Sequence, residues 1–72
     1  MTTNGRLERI TANLTPRTSA ALKLTVEVTG DSKTDTLNRA IQVYAYLMDL
    51  TAKGGLVFVQ EDKGELQRLM MI

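Results

Sequence analysis

Leu22-Lys23-Leu24-Thr25-Val26-Glu27-Val28-Thr29-Gly30 decides the fold, because it reads two ways. Leucine and valine alternate with lysine, threonine and glutamate through eight positions, the period of a strand, and the β-branched content agrees with it. The neighbours say otherwise. Ala20 and Ala21 are good helix formers, and Gly30 stands where a left-handed residue ends a helix. Upstream, Thr15 followed by Pro16 supplies an N-cap hydroxyl and a first helical residue with no amide to satisfy. These flanking signals predict a helix of about 14 residues starting at Pro16. Its apolar side chains form two stripes, Leu22/Val26 and Ala21/Leu24/Val28, so the element is to be covered from two sides. Were residues 22–29 a strand, the chain would instead be a swapped-hairpin β dimer.

Working outward, a second helix follows Gly30. Ser32 is its N-cap and Asp35 the acidic member of a capping-box-like start. Leu37, Ala40, Ile41, Tyr44, Leu47 and Met48 then recur at i, i+3, i+4 and i+7 as one apolar face. Val43, Tyr46 and Leu50 add a second stripe to its C-terminal half, and Gly54-Gly55 stops it near Lys53. On the other side of the first helix, residues 9–14 alternate: Ile10, Ala12 and Leu14 point one way, Arg9, Thr11 and Asn13 the other, as in a half-buried strand. Residues 1–8 lack periodicity and read as a flexible arm. Residues 54–72 read as a hairpin: a strand over 56–60, a turn at Glu61-Asp62-Lys63-Gly64 with glycine taking the left-handed position, and a return strand over 65–72. An isolated hairpin is marginal in water, so its apolar side is expected to pack on the helices.

Composition narrows the chemistry. The 72 residues contain neither Cys nor His, which removes disulfides, thiolate and imidazole metal sites, and nucleophile–histidine catalysis. The acidic group Asp49, Glu61, Asp62 and Glu65 is explained by turn composition, so no catalytic residue, metal or cofactor is expected. Apolar residues make up 43% against 24% charged, a globular balance. A core this small needs outside help, and a homodimer is the simplest source. The net charge of +1 is uneven: residues 1–23 carry net +3 and residues 24–72 net −2. No apolar run approaches the roughly 18 residues that span a bilayer, and no signal-peptide pattern opens the chain, so a cytoplasmic protein with no membrane partner is expected.

Arg9-Ile10-Thr11-Ala12-Asn13-Leu14-Thr15, the joint Thr29-Gly30-Asp31-Ser32-Lys33-Thr34, and Asn38 to Leu47 resemble the ribbon-helix-helix DNA-binding family, over about three fifths of the chain. The resemblance implies a mainly α fold with a short β-ribbon, in which two chains intertwine. Residues 9–53 would form that domain, with the C-terminal β-hairpin added to it. By the same resemblance Arg9, Thr11 and Asn13 would meet base edges in the major groove, arginine suiting guanine and asparagine adenine. Ser32, Lys33 and Thr34 would hold a phosphate at the start of the second helix, with Arg6 and Arg17 adding backbone contacts. Ile10, Ala12, Leu14, Leu22, Val26, Leu37, Ala40, Ile41, Tyr44 and Leu47 would build the dimer core.

The implied function is a sequence-specific transcriptional regulator, a repressor, binding double-stranded DNA as a homodimer and open to higher assembly on DNA. The low net charge, the acidic Asp31 and Asp35 beside the phosphate site, and the apolar Leu24 and Val28 depart from the family pattern. They leave room for an alternative, a protein-interaction module or antitoxin-like protein that holds a protein partner through the C-terminal hairpin.

Overall fold

In the computed structural model, which describes residues 7–70, the expected caps set the helix boundaries. Helix α1 runs Pro16–Thr29, with the Thr15 hydroxyl accepting the Thr18 amide at 3.1 Å. It ends on Gly30, whose φ of 77° lies in the left-handed region and whose amide donates to the Val26 carbonyl. Residues 22–29 are therefore helical despite their alternation. Alternation is a surface pattern, whereas a cap satisfies amides and carbonyls that would otherwise be orphaned. Helix α2 runs Lys33–Ala52, capped by Ser32, which accepts the Asp35 amide at 3.0 Å. Gly54, at φ 88°, turns the chain away from α2. The next amide, of Gly55, returns to the Leu50 carbonyl at 2.9 Å.

Strands β1 (Val57–Gln60) and β2 (Leu66–Leu69) then pair antiparallel, with Val57 opposite Leu69 and Gln60 opposite Leu66. The turn between them differs from expectation in one residue. Lys63, not Gly64, occupies the left-handed region, at φ 59°. Gly64 serves close approach instead: its amide bonds the Glu61 carbonyl at 2.7 Å, and a Cβ there would stand 3.2 Å from the same oxygen. The described return strand is also shorter than residues 65–72.

Two further expectations are not met within the single chain. Residues 7–14, read as containing a strand, have no regular structure. Pro16 starts a helix directly after them, so no second strand lies near enough in sequence to pair with them. The hairpin does not lie along the helices either; β1 and β2 pack on each other, and α1 packs on α2. Of the expected arm, residues 1–6, including Arg6, lie outside the described residues.

The single chain has no closed core. Among the described residues no apolar side chain is buried, and Thr36 alone is, its hydroxyl donating to the Ser32 carbonyl at 2.9 Å. Leu22, Val26 and Leu47 are half-buried. Ile10, Leu14, Leu37, Ile41 and Tyr44 are exposed, Ile10 to 71%. The accessible surface is 6933 Å², where a compact 8.0 kDa monomer would expose about 4,450 Å². The radius of gyration, 15.0 Å, likewise exceeds the roughly 11 Å of a compact chain of this length. No helix among the described residues is long and apolar enough to cross a membrane.

Candidate nucleic-acid interface

The joint between the helices is the most tightly specified part of the molecule. Thr29 bonds twice, donating its hydroxyl to the Thr25 carbonyl at 2.8 Å and accepting the Asp31 amide at 3.1 Å. Gly30 reverses the chain and Ser32 restarts it as a helix. Ser32 satisfies the Asp35 amide through its side chain and the Thr36 amide through its carbonyl. The amides of Lys33 and Thr34, the first two of α2, have no acceptor among the described residues. With the positive end of the helix dipole behind them, they form a small anion-facing surface. Lys33 adds a full charge, and Ser32, Lys33 and Thr34 are all exposed.

Two carboxylates flank this surface, and they behave differently. Asp31 is partly buried and lies 3.5 Å from the Arg39 guanidinium, which offsets its charge. Arg39 was not among the sequence-derived site residues; the eight-residue separation follows from the angle of the joint and has no short-range spacing signal. Asp35 sits in the first turn of α2, where its charge favours the helix dipole and opposes an incoming phosphate.

Arg9, Thr11 and Asn13 lie on the exposed segment before α1, and Arg17 is exposed one residue inside that helix. Nothing among the described residues covers the other side of the segment, so Ile10 and Leu14 are exposed as well. The single chain thus does not bring Arg9, Thr11 and Asn13 together with Ser32, Lys33 and Thr34 through any paired element. A cleft of about 430 Å³ separates the helices, with Thr25, Thr36, Ala40, Val43, Tyr44 and Leu47 among its lining. Its walls are largely the apolar face of α2. Among the described residues no group of three acidic side chains converges on a metal-sized site, and Asp49 instead pairs with Lys53 at 3.0 Å.

No family model, curated protein or solved structure matches the chain.

Proposed function

We propose that the chain is a sequence-specific DNA-binding regulator, a cytoplasmic repressor, that acts as an intertwined homodimer of ribbon-helix-helix type. In this reading residues 9–15 of two copies pair antiparallel, which gives the unpaired segment the partner it lacks within one chain. Ile10, Ala12 and Leu14 then turn onto the helices of both copies, with Leu22, Val26, Leu37, Ala40, Ile41, Tyr44 and Leu47 around them. Arg9, Thr11 and Asn13 face outward together, three from each copy, at the width of a major groove. The Lys33 and Thr34 amides hold a backbone phosphate on either side, helped by Ser32 and Arg17.

The observation that carries the reading is one arrangement: an alternating, unpaired segment runs directly into a pair of capped helices whose second start presents free amides. Surface area supports the dimer. The chain exposes 6933 Å², about 2,500 Å² more than a compact monomer, enough for an obligate interface.

The test is selection of bound sequences from a random duplex pool at moderate salt, with an Arg9→Ala/Asn13→Ala protein beside the wild type. A short, roughly palindromic motif enriched by the wild type alone is the expected result. No enrichment at any salt, from a protein shown to be folded and dimeric, overturns the assignment. Lys33→Ala is expected to weaken all sequences alike and to flatten the salt dependence, as loss of a phosphate contact does.

A further inference from the structure

We propose that β1 is a self-association edge, pairing antiparallel with β1 of a second copy so that two hairpins close into one four-stranded sheet. This contact is separate from the DNA-binding ribbon and does not rest on it.

Among the described residues the sheet has two strands, so each strand keeps one open edge. The two edges differ in chemistry. Beside and within β2 stand Glu65, Gln67 and Arg68, the kind of charged and polar side chains that discourage strand addition. From Leu56 to Gln60 there is no charge and no proline, and the one-to-one register contains no bulge. Leu56, Phe58 and Val59 are 51%, 47% and 46% exposed. By the usual devices of edge protection β1 is unprotected, and a two-stranded hairpin is marginal in water until it gains further strands or a packed face.

A second copy of the chain fits this edge better than another occupant. An antiparallel pairing of β1 with itself is isologous: both copies offer the same uncharged strand, no like charges meet, and a two-fold axis closes the contact. The order becomes β2, β1, β1, β2, which puts the polar strands outermost. Val57, Val59, Gln67 and Leu69 share one face by the register, so two copies bring the valines of both β1 strands together at the centre of that face and leave Gln67 toward its margins. Area permits it as well. The surface of 6933 Å² leaves about 2,500 Å² per chain beyond a compact monomer, about three times the 800 Å² a standard interface takes from each partner.

The chain has no cysteine, so single cysteines report cleanly. Each of Val57→Cys, Phe58→Cys, Val59→Cys and Gln60→Cys is made in the full chain and oxidised mildly at dilute protein. Gln67→Cys is the control, because the outer strands of the proposed sheet stand about 14 Å apart, beyond disulfide reach. At least one β1 position is expected to give covalent dimer in more than half of the protein, and Gln67→Cys at least fivefold less. Val59→Lys or Val59→Glu, added to the best-linking variant (Val57→Lys or Val57→Glu where Val59→Cys links best), is expected to abolish the link when used alone. Mixing the two charged proteins is expected to restore at least half of it, which a merely unfolded hairpin does not do. Adding Arg9→Ala and Asn13→Ala is expected to leave the link unchanged. No cross-link at any position from 57 to 60, or equal linking at Gln67, overturns the proposal. So does β1 amide protection that arises only when a different protein is added.

Discussion

Two segments with strand-like sequences flank the helix pair, and they meet different fates. Residues 57–60, three apolar residues and a glutamine, find a partner six residues on, across a tight turn. Residues 9–14 alternate between apolar and polar, yet stay unpaired among the described residues, because the helix beginning at Pro16 carries the chain away from them. What differs is the entropy of bringing a partner strand back, small for a five-residue loop and larger where two helices intervene before the next strand. Alternation therefore marks a chain that wants a neighbour without saying whose. The proposed regulator supplies that neighbour from a second copy, and the hairpin supplies its first neighbour itself.

The strongest way to break this comparison is at the segment without a partner. Arg9→Ala is expected to remove one bidentate base contact from each copy, about 2–6 kcal/mol of specific affinity in the dimer at 1–3 kcal/mol per contact. Circular dichroism and oligomeric mass are expected to stay unchanged, since Arg9 is exposed. Binding titrations against the selected duplex check it, and an unchanged affinity removes Arg9 from the interface.

Next in size is the link that aims the hairpin. A Cβ on Gly55 would stand 2.9 Å from the Leu50 carbonyl oxygen and equally close to Leu50 side-chain carbons. Backbone cannot give way as a flexible side chain does, so Gly55→Ala is expected to cost about 1–3 kcal/mol. Loss of amide protection in β1 and β2 before any loss in the helices identifies the strain as local. Uniform loss would show that the hairpin and helices unfold as one unit.

Ser32→Ala acts at the joint between the two helices. It removes the side-chain acceptor of the Asp35 amide, and about 1 kcal/mol of stability is expected to go with it. Chemical denaturation reads the loss. DNA affinity at fixed folded protein is expected to fall less than with Lys33→Ala, since the Lys33 and Thr34 amides remain in place.

What the sequence made legible follows the same division. Punctuation that acts within a few residues was readable: Thr15-Pro16, Gly30, Ser32 and the Gly54-Gly55 pair fix both helices and their joint. It even overruled the strand-like alternation of residues 22–29. Partners set by distance in space were not readable: the Asp31–Arg39 pair depends on the angle at the joint, and the strand period of residues 9–14 meets nothing in its own chain. The hairpin's place relative to the helices depends on the direction in which Gly54 and Gly55 release it, which no apolar stripe encodes. Of the candidate site, the helix start and its free amides were legible as local chemistry. The alignment of Arg9, Thr11 and Asn13 as a reading face belongs to the proposed dimer and is not encoded within one chain.

The smallest expected effect sharpens the comparison from the side that pairs in cis. Lys63 holds φ at 59°, where an L side chain with a Cβ is disfavoured by about 1–2 kcal/mol. Glycine carries no such cost but loses more freedom on ordering, about 0.5–1 kcal/mol. Lys63→Gly is therefore expected to stabilise the hairpin by up to about 1 kcal/mol, visible as slower exchange of the β1 and β2 amides with the helices unchanged. Moving the glycine by one residue discriminates the two turn positions. Gly64→Ala asks a Cβ to sit 3.2 Å from the Glu61 carbonyl oxygen, so it is expected to destabilise the same amides without any left-handed strain to relieve. If Lys63→Gly weakens the hairpin while Gly64→Ala is neutral, the left-handed residue is Gly64 after all. The turn would then belong to a different register, and the pairing of Val57 with Leu69 would have to be redrawn with it.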